Sequence, residues 1–194
     1  MYIIAGCNGA GKTTASYTIL PEMLQCKEFV NADNIAQSLS PSNPASVAFE
    51  SGRIMLQRID ELLLTENDFA FETTLSTKSY VSFIKKAKEK GYKVSLVFFW
   101  LKNPGLAIQR VASRVEKGGH NIPKDIIERR YKRGISNLFN LFMPLCDYWV
   151  VVDNSLNVLN TIAEGEQQLV NEINNADIWG VIINQANAIK EGKY

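Results

Sequence analysis

AGCNGAGKTTAS, residues Ala5 to Ser16, follows the short apolar run Tyr2 to Ala5 and leads into a segment from Lys12 that reads as a helix to about Pro21. Gly6 to Thr13 fits the pattern G-x-x-x-x-G-K-[ST], and it lies between a predicted strand and a predicted helix, the context that gives the pattern its meaning. Glycines let successive N–H groups turn inward around an anion, and the helix N-terminus adds partial positive charge. Gly6, Asn8, Gly9, Ala10, Gly11, Lys12, Thr13 and Thr14 are therefore the candidate cradle for the phosphates of ATP. Lys12 is expected on the outer phosphates. Thr13 is the expected Mg²⁺ ligand, because a hard cation that keeps several waters takes one hydroxyl plus phosphate oxygens.

Working outward, strands and helices alternate. Phe29-Val30 ends a second strand at Asn31-Ala32-Asp33, and Phe69 to Phe71 and Val94 to Leu101 are a third and a fourth. After a turn-rich stretch, Ser38 to Pro44, a helix carries Ala48, Phe49, Leu56, Ile59, Leu62 and Leu63. Further helices span Thr77 to Lys90, Asn103-Pro104 to about Gly118, and Pro123 onward, the last with the stripe Ile127, Tyr131, Ile135, Leu138 and Phe142. Tyr148 to Val152 is a fifth strand, Thr161 to Val170 a hairpin across Glu164-Gly165-Glu166, and Asn175 to Lys190 a closing helix. Such alternation implies right-handed β-α-β units. The expected fold class is α/β, a P-loop NTPase fold with a mostly parallel five-stranded sheet flanked by helices. One domain is expected over residues 1–194, with an arginine-bearing helical lid over 118–134 and a small C-terminal extension over 155–194.

Composition narrows the function. The chain has 194 residues, 46% hydrophobic, with a net charge of +1. Mixed charges give no footprint for a nucleic acid or an anionic membrane, and neither partner is expected. Cys7, Cys26 and Cys146 are too far apart for a zinc site or a disulfide framework. No basic region precedes a long apolar run, so a cytoplasmic, unexported protein is expected.

Phosphate loops serve switches, motors and kinases. A GTP switch needs an Asn-Lys-x-Asp guanine reader, which this chain lacks, and the one Asp-x-x-Gly, Asp177 to Gly180, lies in the C-terminal tail. A motor needs an acidic residue ending its long buried strand, yet that strand ends Val97-Phe98-Phe99-Trp100-Leu101. Carboxylates end the shorter strands instead: Asp33 after FVNA, and Glu72 in FETTLS, with Thr73 beside it. In an open parallel sheet both should face the cleft of the loop. Two carboxylates beside a triphosphate suit a kinase, one accepting the proton of an attacking hydroxyl and the other, with Thr73, holding the acceptor.

Arginines supply charge for the transferring group. Arg110 and Arg114 are four apart on one helix and flank its apolar stripe of Ile108, Val111, Ala112 and Val115. KGGHNIP then forms a glycine-containing connection suited to a moving flap, with His120 a hinge or surface residue. In Glu128-Arg129-Arg130-Tyr131-Lys132-Arg133, Arg130 flanks the apolar stripe while Arg129 and Arg133 point away, which makes Arg130 the first choice for a lid arginine and Arg133 the second.

AGCNGAGKTTAS, FVNADNIA, FETTLS, RVASRVEKGGHNIPKDIIERRYKRG and WVVVDNS together resemble the zeta-toxin-like P-loop kinases, over roughly Tyr2 to Ser155. The GGH of the lid follows the small bacterial members. The resemblance implies that Lys12 and Thr13 bind the triphosphate and magnesium, Asp33 is the general base, Glu72 orients the sugar acceptor, and Arg114 and Arg130 clamp the phosphates. It also implies that Arg110 lies over the adenine, near Asp153-Asn154. Better-known members phosphorylate UDP-N-acetylglucosamine and are blocked by an antitoxin protein, so that acceptor and such a partner are the family's expectation here. Other readings of the residues are a kinase of another small hydroxyl acceptor, and a non-catalytic ATP-binding regulatory protein.

Overall fold

The computed structural model describes residues 1–18, 26–119, 121–156 and 158–190. Its strands are β1 (Tyr2–Gly6), β2 (Glu28–Val30), β3 (Phe69–Thr73), β4 (Ser95–Trp100), β5 (Tyr148–Asp153), β6 (Asn160–Glu166) and β7 (Leu169–Ile173). They form one sheet in the order β2-β3-β1-β4-β5-β6-β7. β1 to β5 run parallel, and β6 and β7 are added antiparallel at one edge. The helices are α1 (Lys12–Thr18), α2 (Ala32–Leu39), α3 (Ala48–Leu62), α4 (Tyr80–Glu89), α5 (Pro104–Glu116), α6 (Lys124–Asn137) and α7 (Ala176–Lys190). Among the described residues no helix is long and apolar enough to cross a membrane.

The central strands are apolar almost throughout because helices cover both faces of a parallel sheet. Phe69, Phe71, Phe99 and Ile3 are wholly buried. β1 sits between β3 and β4, so the winding reverses there and a crevice opens at the carboxyl edge of the sheet. The chain leaves β1, β2, β3 and β5 at that edge, which brings Gly6, Asn31, Glu72 and Asn154 to one side of the molecule. Asn103 caps α5 through its side chain, which accepts from Leu106 N, and Pro104 occupies the first turn as the sequence implies. The stripe of α6 is buried as expected, and it continues through a π-helical turn at Leu138–Phe142.

Several local expectations are corrected. The sheet has seven strands, because the C-terminal hairpin joins it. That hairpin turns at Gln167-Gln168, where Gln167 has φ 50°, and not across Glu164-Gly165-Glu166. Gly165 lies inside β6 because a Cβ there would meet Leu169 O at 2.0 Å and Trp149 Cζ2 at 2.5 Å. The glycine answers close approach rather than a turn. Trp149 in turn stacks on Trp179 of α7, centroids 5.8 Å apart, so the indole ties the helix to the sheet. Gly165→Ala is expected to cost about 1–3 kcal/mol through overpacking, read as a lowered Tm; a variant as stable as the parent would show that β6 and β7 part easily.

A helix the sequence reading omitted, α2, begins straight after β2. It is short, buries only Ala36, and is recognisable chiefly by its cap at Asn31. In α3 the buried face is Ser51, Met55, Ile59 and Leu62; Ile59, Leu62 and Leu63 of the expected stripe are buried, while Phe49 is 89% exposed. In α5 the buried positions are Ala107 and Val111, and Ala112 is exposed. The expected end of α1 near Pro21, and His120, lie outside the described residues.

Candidate active site

The loop after β1 carries Gly9 at φ 78° and Gly11 at φ 85°, both in the left-handed region that glycine adopts without strain. A Cβ on Gly9 would meet Ala107 O at 2.8 Å, and one on Gly11 would meet Asn154 Nδ2 at 2.5 Å, so neighbours are packed directly onto the loop's outer side. Asn154 Nδ2 donates to Ala10 O at 2.8 Å. Arg110 Nη2 donates to Asn154 O at 2.8 Å and to Ser155 O at 3.1 Å. Arg110 thereby ties the loop's surroundings to the end of β5, while its side chain also lines the cavity beside the loop.

Lys12 is 5% exposed. Its Nζ donates to Cys7 O at 3.0 Å and stands 3.4 Å from Glu72 Oε1. Glu72 Oε2 accepts from Thr13 Oγ1 at 2.7 Å and from Asn31 Nδ2 at 2.8 Å. Glu72 is thus drawn to the lysine and hydroxyl of the phosphate loop, although it also lines the cavity on the far side with Thr73. Burial pushes the Cys7 thiol up to about 11, against the nearby positive charge of Lys12, so this cysteine stays a protonated packing residue at neutral pH.

Asp33 is not at a strand end. It lies in the first turn of α2, where Asn31 Oδ1 accepts from its N–H at 2.7 Å. Two cavities adjoin the loop and a third lies beyond them. One of about 400 Å³ runs along Gly9, Gly11, Thr13, Thr14, Arg110 and Arg114. A second of about 310 Å³ is bounded by Asn8, Thr73, Thr74, Ser76, Thr77, Tyr80 and Arg130. The third, also about 310 Å³, lies between α2 and the start of α6, with Asn34, Gln37, Ser51 and Ile122. Asp33 lines all three. Lys12 and Glu72 are shared by the first two, Arg114 by the first and third, and Arg130 by the second and third.

Arg130 Nη1 donates to Asn8 Oδ1 at 3.1 Å, so α6 reaches the phosphate loop directly. Burial works against its charge, Asp33 offsets part of that, and Arg129 adds to it. Such a guanidinium is electrostatically short of an anion. Arg129 and Arg133 are exposed and line none of the three cavities.

The donor set beside Lys12 suits a magnesium ion shared with phosphates: one hydroxyl, Thr13, with the Glu72 carboxylate 2.7 Å from it. No group of three or more His, Cys, Asp or Glu side chains that could hold a metal occurs among the described residues. Sequence reasoning missed Asn31, whose signal was an asparagine directly between a strand and an acidic helix start.

Comparison with known proteins bears on these residues. The family model for the zeta toxin matches residues 1–154. An uncharacterised protein of Haemophilus influenzae is 31% identical over 126 residues, 65% of this chain and 88% of that protein. Among solved structures, the fold is similar to a chain of the AvrRxo1-ORF1:AvrRxo1-ORF2 complex, TM-score 0.72 at 19% identity; the match covers 93% of this chain and spans 62% of the length of that one. That complex has also been solved with ATP. A second neighbour comes from the PezAT chromosomal toxin-antitoxin system of Streptococcus pneumoniae, TM-score 0.65 at 16% identity, covering 98% of this chain and 87% of that one. A putative kinase from Chloroflexus aurantiacus matches at TM-score 0.60 and 12% identity, over 98% and 96%.

Proposed function

The chain belongs to the zeta toxin family, and from that premise we propose that it is an ATP-dependent kinase that transfers the γ-phosphate to a hydroxyl of a nucleotide sugar, UDP-N-acetylglucosamine. The observation that carries the reading is the position of Asp33, the one residue common to the cavity along the phosphate loop and the two cavities beyond it. A proton acceptor at that junction can serve a hydroxyl on one side and a phosphate on the other. Phosphoryl transfer asks mainly for positioning and charge stabilisation.

ATP fills the cavity along Gly9 to Thr14, with its outer phosphates at Lys12. Magnesium, held by Thr13 with Glu72 beside it, supplies charge neutralisation for those phosphates. The acceptor lies among Thr73, Thr74, Ser76, Thr77 and Tyr80, a hydroxyl-rich lining suited to a sugar. Its attacking hydroxyl gives its proton to Asp33 as the new P–O bond forms and the bond to ADP breaks. Arg130 and Arg114 meet the charge on the transferring group from the lid side and exclude water. Glu72 serves the phosphate side in this scheme, since its oxygens are engaged by Lys12 and Thr13. An antitoxin protein is the proposed macromolecular partner, supported by a solved neighbour that comes from a toxin-antitoxin system.

The test is purified protein with ATP and magnesium, alone and with UDP-N-acetylglucosamine, the sugar product being weighed by mass spectrometry. A phosphorylated nucleotide sugar is expected with the parent protein and not with Asp33→Asn. ATP binding without transfer to that sugar would overturn the acceptor assignment. Function that survives Asp33→Asn but not Lys12→Ala would mark a nucleotide-binding regulator instead.

A further inference from the structure

We propose that Asn31 is a positioning residue that sets both carboxylates of the transfer site with one amide, an inference that rests on the roles given above to Asp33 and Glu72. Asn31 is 4% exposed, at the carboxyl end of β2. Its Oδ1 accepts from the N–H groups of Asp33 at 2.7 Å and Asn34 at 3.3 Å. Its Nδ2 donates to Glu72 Oε2 at 2.8 Å. The orientation of the amide is fixed by these partners, because a flip would set N–H against N–H and oxygen against carboxylate.

Capping alone does not call for asparagine. Aspartate or serine accepts the same backbone N–H groups equally well. Only an amide of this length caps with its oxygen while donating from its nitrogen to Glu72. The donated bond adds no charge, and Glu72 is aimed at Lys12 and Thr13. The accepted bonds fix the start of α2, from which Asp33 projects. The proton acceptor and the carboxylate on the phosphate side are thereby held in register by a single buried side chain, which lies 41 residues from Glu72 in sequence.

Asn31→Asp separates the two tasks. It keeps the cap and places a second carboxylate against Glu72. Facing that pair are Lys12 from α1, Asp33 from α2, Tyr80 from α4 and Arg130 from α6, with Arg114 of α5 across the loop. The carboxylate in direct contact dominates: the substitution sets acceptor against acceptor where Nδ2 had donated, and the contact turns from favourable to unfavourable.

Thermal unfolding of Asn31→Asp and Asn31→Ser against the parent tests this without any substrate. For Asn31→Asp, the Tm deficit at neutral pH should exceed that of Asn31→Ser, which caps without charge, by about 2–4 °C. In a Glu72→Gln background, where the facing amide can donate, that excess should vanish. In the kinase assay Asn31→Asp should lose about 10–100-fold in kcat with the KM for ATP within about threefold of the parent, as supporting contacts around a site commonly do. A Tm deficit for Asn31→Asp no larger than that of Asn31→Ser, together with parental kcat, would reduce Asn31 to a helix cap and overturn the proposal; so would an excess deficit that persists with Glu72→Gln. Full transfer by Asp33→Asn would instead remove the base assignment, and the Tm series would still decide the link between residues 31 and 72.

Discussion

Asp33→Asn is expected to lower kcat by about 10²–10⁴-fold, the usual contribution of a positioned general base, while ATP affinity stays within about threefold of the parent. The substitution is nearly isosteric and leaves the backbone N–H of residue 33 bonded to Asn31 Oδ1, so α2 should start as before. What is lost is an acceptor for the hydroxyl proton and a negative charge near Arg130, whose guanidinium Asp33 favours in its charged form. Losing that charge frees Arg130 for phosphate, so ATP binding should hold or tighten slightly. Binding measured by calorimetry and kcat measured by product formation therefore separate in opposite directions. Loss of both together would mean that Asp33 maintains the cleft rather than taking a proton. Unchanged turnover would remove the base from the mechanism.

How much of this was legible in the sequence depends on which force fixes each feature. The phosphate loop was readable because its demands are local: left-handed backbone at Gly9 and Gly11 and a helix starting at Lys12. The central strands were readable because burial on both faces leaves continuous apolar runs such as Leu96 to Leu101. Helix α2 was not, since a short helix with one buried residue has no stripe and is held by a cap. Gly165 misled for a related reason: glycine serves turns and close approach alike, and only the tertiary position of Trp149 tells them apart. The site divides the same way. Asp33, Glu72 and Arg130 could be picked as charged residues near cleft ends, but that Glu72 engages Lys12, Thr13 and Asn31 depends on the pairing of β1 with β3, which puts Ile4 beside Glu72. No local pattern carries that register.

The second large effect is expected at Arg130. Arg130→Ala should lower kcat by about 10³-fold or more, within the range ascribed to arginines that meet the charge of a transferring phosphoryl group. Arg130→Lys should recover only part of this, because an ammonium cannot both reach Asn8 Oδ1 and present a planar pair of donors to phosphate. Arg133→Ala, on an exposed face of the same helix, is the matched control and should stay within about threefold. Stability gives an independent check, since Arg130 is partly buried against its charge and makes no ion pair among the described residues. Removing it relieves that desolvation while leaving Asn8 Oδ1 at the cleft, so the Tm of Arg130→Ala should change little although turnover collapses. That pattern distinguishes a charge retained for the reaction from one retained for the fold: parallel loss of Tm and kcat would make Arg130 a structural strut between lid and loop, and an equal loss in Arg133→Ala would show that the basic face as a whole, rather than the guanidinium at the cleft, carries the effect.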